Sequence, residues 1–314
     1  SKGLKTTLLV GGDTLSLPAP VLDPGRVPYT FLVSEGAEHW WAWCVREGKA
    51  VLFADGEEIG VFNPESVRWF PDPKRHVARG GWLLLYRGEV YLNGRHLPKA
   101  LGAAVSDSGW LVVEEDGDVI FNDKKVGFLN LKGASVEGVD LRGKRYAILL
   151  NKGKKHWVYD GRLSGPFGFD TADLLGFRAT ARGWALAWAS GDTLVVAEPG
   201  KVRKFGPYEG LRYTTSLDVS QGGLWLAEVV KKGEELALID GREIPCPHPV
   251  LTLGNVPFSW KVNEEKHKAV LYYNGKAYGP FPDHVAGPMG EPEKPYIVKV
   301  NREKGVPERV YFLK

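Results

Sequence analysis

A tight turn recurs along this chain and predicts its architecture. Each copy follows a short apolar run, and successive copies are about 29 to 41 residues apart. The copies are Asp55-Gly56, Asn93-Gly94, Asn122-Asp123, Asp160-Gly161, Pro199-Gly200, Asp240-Gly241 and Asn274-Gly275. Asn-Gly and Asp-Gly suit hairpin turns because both central residues of a type I′ turn need a positive φ. The pattern therefore predicts a series of repeated β-hairpins.

The sequence on both sides of this turn repeats as well. Upstream, a strand opens with Gly and Trp, as in Gly81-Trp82, Gly109-Trp110, Gly183-Trp184 and Gly223-Leu224-Trp225. Downstream, Gly165-Pro166-Phe167 and Gly279-Pro280-Phe281 follow two of the turns. The unit is therefore predicted to have four short strands, which in the fifth copy cover 175–181, 184–190, 193–198 and 202–206.

Several predicted strands are apolar on both faces, for example residues 184–188 and 147–150. A sheet with two apolar faces must be covered on both sides. Stacked β-propeller blades provide this cover, whereas a β-sandwich exposes one face of each sheet. We therefore predict an all-β fold, with residues 1–314 forming one β-propeller of about eight four-stranded antiparallel blades.

The blade number depends on the two ends of the chain. Seven complete copies cover residues 27–281, and the C-terminal runs 296–300 and 309–313 remain over. The N-terminal runs 7–10 and 14–17 are predicted to complete an eighth blade with them, which would remove free sheet edges. Seven blades are the alternative. Residues 258–274 form the longest segment without Gly or Pro, and we interpret them as a hairpin rather than a helix.

Composition narrows the class of protein more than its function. The net charge of +3, from 41 basic and 38 acidic residues, does not indicate a nucleic-acid or membrane binder. Two cysteines, Cys44 and Cys246, do not form a disulfide framework, which favours the cytoplasm. A secreted or periplasmic location would apply if a signal peptide had been removed. The scarcity of Met, Gln and Cys indicates a thermophilic source.

Part of the repeat resembles a known family. Ser106-Asp107-Ser108-Gly109-Trp110 and the segment Ser220-Gln221-Gly222-Gly223 resemble the turn that opens the inner strand of bacterial WD40-like propeller repeats. No copy has the full Ser-Pro-Asp-Gly of that family, and none ends in Trp-Asp. The resemblance implies the propeller fold and little about activity, because propellers include hydrolases, lyases and scaffolds.

Most residues that could carry chemistry are explained by the repeat. Trp82, Trp110, Trp184 and Trp225 occupy one repeat position, as packing between blades requires. Asp55, Asp160 and Asp240 belong to the recurring turns. In the run Trp40-Trp41-Ala42-Trp43, alternation puts Trp41 and Trp43 on one face, where one of them could contact a ligand.

The sequence contains no catalytic or phosphate-binding motif that we recognise. Cys246 and His248, between prolines 245, 247 and 249, could both ligate a soft metal, but two ligands do not make a site. We interpret this segment as a stiff turn with a buried thiol. No catalytic residue, metal or cofactor is assigned.

Charge placement gives the remaining candidate. Lys152, Lys154, Lys155, Lys231 and Lys232 lie at turns between second and third strands, and these turns are predicted on one face. Acidic residues at equivalent turns make that face mixed in charge. We predict a monomeric, non-enzymatic binding or scaffold propeller that holds a protein partner there. Alternatives are a hydrolase or lyase acting on a carbohydrate or peptide and, third, nucleic-acid binding through the 152–155 hairpin.

Overall fold

The computed structural model describes residues 6–10, 13–17, 31–33, 39–47, 49–62, 77–86, 89–247, 251–263, 265–282, 285–300 and 307–313. Regular structure in these residues is almost entirely β-strand. The exceptions are one helical turn, α1 (Leu211–Thr214), and a 3-10 turn at Thr171–Asp173. The chain is therefore all-β, as predicted.

The strands form consecutive antiparallel sheets in which each strand pairs with its neighbours in sequence. After a two-stranded hairpin, seven sheets of four strands follow, which we number blades 1 to 7. The hairpin and blades 1 and 2 consist of β1 (Thr6–Val10), β2 (Asp13–Leu17), β3 (Phe31–Val33), β4 (Trp40–Arg46), β5 (Lys49–Ala54), β6 (Glu57–Phe62), β7 (Val77–Ala78), β8 (Gly81–Tyr86), β9 (Glu89–Leu92) and β10 (Arg95–Leu97).

Blades 3 to 5 each contain four strands that pair in sequence order. They consist of β11 (Ala100–Ser106), β12 (Gly109–Glu114), β13 (Asp118–Phe121), β14 (Lys124–Phe128), β15 (Ser135–Arg142), β16 (Arg145–Lys152), β17 (Lys155–Tyr159), β18 (Leu163–Gly168), β19 (Leu174–Thr180), β20 (Gly183–Ser190), β21 (Thr193–Glu198) and β22 (Lys201–Phe205). The strands of blade 5 lie within one residue of the predicted bounds.

Blades 6 and 7 complete the four-stranded series, and a three-stranded sheet, blade 8, follows. They consist of β23 (Leu217–Val219), β24 (Trp225–Lys231), β25 (Glu234–Ile239), β26 (Arg242–Pro245), β27 (Leu251–Leu253), β28 (Val256–Asn263), β29 (Lys268–Tyr273), β30 (Lys276–Pro282), β31 (Val285–Glu291), β32 (Lys294–Val300) and β33 (Pro307–Phe312). Strands β28 and β29 form the hairpin predicted for residues 258–274. Eight successive blades of this kind are the architecture of a β-propeller.

The two ends of the chain differ in one detail from the sequence prediction. Strand β1 pairs with β2 through five residue pairs, and β31, β32 and β33 form their own sheet. Neither described sheet therefore contains strands from both termini. Strands that are adjacent in sequence pair readily because little chain must be ordered between them.

Neighbouring blades pack through strands that are buried on both faces. All residues of β20 from Gly183 to Ala189 are buried. Their neighbours form a continuous cluster in which Ala185 and Leu194 of blade 5 pack with Leu217, Trp225 and Ala227 of blade 6. Small alanine side chains alternate with Trp and Leu in β20, which lets neighbouring sheets approach closely.

The chain divides into two compact units within blade 4. Unit 1 comprises residues 1–152 and 157–165, and unit 2 comprises residues 153–156 and 166–314. No helix in the described residues has the length and apolar character needed to span a membrane.

Candidate functional site

The predicted lysines lie at the ends of hairpins, as expected. Lys152 ends β16 in unit 1, and the exposed Lys154 and Lys155 precede or begin β17 in unit 2. Lys231 ends β24, and Lys232 occupies the following turn with a φ of 55°. In an antiparallel meander, this turn and the link to the next blade leave the sheet at the same end. The links of unit 2 therefore join Lys154, Lys231 and Lys232 in one surface.

We name this surface the loop platform. It consists of the link between blades 4 and 5 (169–173), the link between blades 5 and 6 (206–216) and the turn of blade 6 (231–234). The second link is long, because eleven residues separate β22 from β23. All of these residues belong to unit 2, together with Lys154.

The first link is held by an aromatic stack. The Phe169 ring stacks on the buried ring of His156, with the ring centroids 3.8 Å apart. It also stacks on Trp188, with the ring centroids 5.0 Å apart. The backbone N–H of Phe169 donates to the carbonyl of Lys154. Asp170 then pairs with Lys154 at 3.1 Å. Burial of Phe169 thus fixes the start of the link, while the carboxylate of Asp170 remains at the surface.

The second link is anchored by two buried side chains, those of residues 208 and 211. Tyr208 and Leu211 are each only 3% exposed. The Tyr208 hydroxyl donates to Glu243 Oε1 at 2.8 Å, and the Tyr208 N–H donates to the carbonyl of Asp192. Glu209 accepts from the N–H of Gly233 at 3.1 Å. These bonds tie the link to blades 5 and 6.

Helix α1 presents an aromatic side chain to solvent. Gly210 precedes it with a φ of 59°, and the Gly210 carbonyl accepts from the N–H of Tyr213 and of Thr214. Leu211 points inward, and Tyr213 is 93% exposed. Arg212 pairs with Asp173, so the two links of the platform are joined. The exposed side chain of Tyr213 therefore belongs to a segment whose backbone is anchored on both sides.

Lys231 of the platform is paired with Glu243 of β26. Lys231 Nζ donates to both carboxylate oxygens of Glu243 at 2.9 and 2.8 Å and lies over the Tyr208 ring. The Lys231 ammonium, with the Tyr208 hydroxyl, lowers the pKa of Glu243. Burial first, and the bond to Glu243 second, raise the pKa of Tyr208. Lys231 and Lys154 thus order the platform as well as carrying charge.

The remaining predicted contacts are placed differently. Trp41 is buried, with 4% of its surface exposed, in a cluster with Leu52 and Trp82. Trp43 lies in β4, but its side chain is outside the described part of the chain. Cys246 is buried as predicted, and His248 lies outside the described residues. Across the described residues, no group of three His, Cys, Asp or Glu side chains could hold a metal ion.

A second charged cluster lies at the opposite ends of blades 5 and 6. Arg203 pairs with Glu198 at 2.5 Å and with Asp240 at 2.6 Å, and Arg182 pairs with Asp240 at 2.8 Å. Burial opposes ionisation of Asp240, but hydrogen bonds from Arg203 and Arg182 outweigh it and lower its pKa. Because its anionic form is stabilised in this way, Asp240 suits packing between blades rather than proton donation.

Comparisons with known proteins return structures but no family. No protein-family model and no curated protein matches the chain. BBS1N, solved in complex with ARL6DN, is similar at 14% identity, with 82% of this chain and 92% of that chain covered and a TM-score of 0.36. Hsv2 of Kluyveromyces lactis is similar at 8% identity, with 94% and 98% covered and a TM-score of 0.32.

A third solved structure is the β-propeller domain of the Trilobed protease from Pyrococcus furiosus. It is 11% identical, covers 74% of this chain and 84% of its own, and has a TM-score of 0.32. Because each of these TM-scores is below 0.5, none of the likenesses bears on function.

Sequence reasoning identified the lysines of the platform but not its anchors. No sequence pattern singled out Tyr208, Arg212, Tyr213 or Glu243. The signal in the sequence was the length of the 206–216 link, which is longer than both the link before blade 5 and the link after blade 6. A long ordered link on a repetitive scaffold is a common position for function.

Proposed function

We propose that this chain is a binding or scaffold propeller that holds a protein partner through the loop platform. The observation that carries the proposal is Tyr213, which is 93% exposed on a backbone anchored by the buried Tyr208 and Leu211. An exposed aromatic on a fixed backbone loses little conformational entropy on binding. Tyrosine is also enriched among the residues that dominate binding energy in protein interfaces.

The surroundings of Tyr213 support a protein partner rather than a polyanion. The platform carries Asp170, Asp173 and Glu209 beside its lysines and Arg212. Interfaces between proteins typically combine an aromatic centre with a polar rim of both charges. Nucleic acid would instead favour a surface dominated by Lys and Arg.

The experiment places a photo-crosslinking amino acid at position 213. The purified full-length protein is irradiated in a lysate of the cells that produce it, and cross-linked products are identified by mass spectrometry. A matched variant carries the same group at Phe312, an aromatic residue that is 72% exposed on β33. We expect a defined protein product from position 213 that position 312 does not give.

Competition then measures the role of the tyrosine itself. Unlabelled wild-type protein should displace the cross-linked partner, and Tyr213→Ala should do so at least about tenfold less well, since interface hot spots contribute 1.4 kcal/mol or more. Equal competition by Tyr213→Ala, or identical products from positions 213 and 312, would contradict the proposal. Recovery of nucleic acid in place of protein would favour the alternative function.

A further inference from the structure

A small cavity opens between blades 2 and 3 of unit 1. Its volume is about 100 Å³. Blade 2 contributes its turn and outer strand, and blade 3 contributes an indole and a turn carboxylate. The lining residues are Leu92, Asn93, Arg95, Leu97, Trp110 and Asp123. Nothing in the proposed function uses this cavity.

Trp110 differs in burial from its repeat equivalents. Trp82, Trp184 and Trp225 are at most 2% exposed, whereas Trp110 is only half-buried. In two of the buried cases, a phenylalanine from the preceding blade covers the indole. The ring centroids of Phe167 and Trp184 are 5.8 Å apart.

The second ring pair repeats the arrangement, since Phe205 lies 5.6 Å from Trp225. Trp82 belongs to a cluster against which Ile59 of β6, in the preceding outer strand, also packs. Near each of these three tryptophans, the outer strand of the preceding blade therefore contributes an apolar side chain to the packing.

Blade 2 supplies only a leucine at this place, Leu97 of its outer strand. Its outer strand β10 has only three residues, and none of them is a phenylalanine. Arg95 and Leu97 share one face of β10, and Leu97 packs against the cluster that Trp110 joins. Leu97 is too small to occupy the whole space, so part of the Trp110 indole borders the cavity.

The rim of the cavity is polar and exchangeable. Arg95 and Asp123 approach to 3.5 Å, with 69% and 72% of their side chains exposed. An exposed pair of this kind stabilises the fold little, so its groups can turn to a ligand. In the described residues, β10 pairs on one side only, with β9, so its outer edge offers backbone N–H and C=O groups to an extended chain.

We propose that this cavity binds an aromatic side chain carried by an extended peptide segment of a partner protein. The ring takes the place that Phe167 and Phe205 take in other blades, and the peptide backbone runs along β10 with Arg95 and Asp123 at its polar groups. An engineered, enclosed cavity of about 150 Å³ accepts benzene in another protein. The cavity here is smaller, at about 100 Å³, but it is open on one side, so one ring can be partly seated in it. The site lies in unit 1, and its test is independent of the loop platform.

The experiment uses saturation-transfer NMR on the full-length protein with capped heptapeptides at about 1 mM. One peptide has a central Phe flanked by Gly, Ser and Thr, and its counterpart has Leu in that position. We expect saturation transfer to the Phe ring. The Leu peptide should bind at least about fivefold more weakly, because aromatic pairing stabilises the complex beyond the burial of apolar area. N-acetylphenylalaninamide is the control compound, because it carries the aromatic ring without an extended peptide.

Two variants test the position of the site. Leu97→Phe supplies the missing ring from within and should abolish transfer, whereas Leu163→Phe, at a side chain of β18 that is 61% exposed, should leave it unchanged. If Leu97→Phe does not fold, Trp110→Leu removes the aromatic wall and should also abolish transfer. Equal transfer in these variants, equal binding of the Leu peptide, or binding of the free molecule alone would overturn the proposal.

Discussion

At the scale of single residues, the recurring turn does more than reverse the chain. The side-chain oxygens of Asp55, Asn93 and Asn122 accept from the N–H of Trp40, Trp82 and Trp110 at 2.8 to 2.9 Å. The backbone N–H of each turn residue donates back to the carbonyl of the same tryptophan. Asp or Asn is required for this reciprocal pair, in addition to its tolerance of positive φ. In these three blades, the turn therefore fixes the position of the tryptophan.

The glycine before the tryptophan lies against the same turn residue. Gly81 has a φ of 133°, and a Cβ at this position would overlap the Asn93 side chain. We expect Gly81→Ala to lower the free energy of unfolding by about 2–4 kcal/mol, through backbone strain and displacement of the Asn93 bond. Urea denaturation followed by tryptophan fluorescence measures this.

The matched control is Gly168→Ala, where a Cβ meets no atom within 4 Å and φ is not positive. It should change stability by less than about 0.5 kcal/mol. The double variant Gly81→Ala/Asn93→Gly should cost less than the sum of its single changes, because the overlap is absent. Strict additivity would show that Asn93 does not contact position 81 as described.

At the scale of elements, the sheets and the links have different sources of order. Strands such as β20 are ordered by burial on both faces. The 206–216 link is ordered by two buried anchors and by polar bonds to Glu243 and Gly233. Its order therefore depends on ionisation, whereas that of the strands depends on apolar area.

This difference predicts a pH dependence at Glu243. Its folded pKa lies below the usual 4.5, mainly because of Lys231. The stabilisation is then complete above about pH 4.5 and is lost as pH falls through the lower folded pKa. Glu243→Gln should be less stable than wild type at pH 6, and the difference should narrow below pH 4.

Thermal denaturation between pH 3 and pH 7 measures this effect. Glu234→Gln, at the exposed start of β25, controls for the loss of one negative charge. A constant difference between Glu243→Gln and wild type over this range would show that the Lys231 pair does not stabilise the platform.

At the scale of the whole molecule, both thiols report on the packing of the blades that contain them. Cys44 is fully buried and Cys246 is 1% exposed. Burial raises the pKa of Cys44 to about 11 and also raises that of Cys246. The thiolate is the reactive form, so both protection from solvent and the raised pKa slow the reaction.

We therefore expect both thiols to react with an aromatic disulfide reagent at pH 8 at least about a thousandfold more slowly in the native protein than in guanidinium, given a typical unfolding free energy above 5 kcal/mol. Absorbance of the released thiolate measures the rates. A native-state reaction of either thiol at the unfolded rate would show that its blade opens locally.

Much of the fold could be predicted because its signals are local. The turn residues, the Gly-Trp strand starts and the doubly apolar strands each depend on neighbours close in sequence, and together they predicted the four strands of blade 5 to within one residue. The terminal sheets were predicted less well. Pairing across the whole chain length leaves no local pattern, whereas the β1–β2 hairpin satisfies its strands nearby.

The candidate site divides in the same way. The sequence by itself determined where hairpins end, and hence that Lys154, Lys231 and Lys232 lie at turns on one end of their sheets. Only the tertiary structure decided that Lys231 bonds Glu243, that Arg212 joins two links, and that Tyr213 is exposed while Trp41 is buried. Alternation along a strand gives the face of a side chain, but the neighbouring blade decides whether that face is covered.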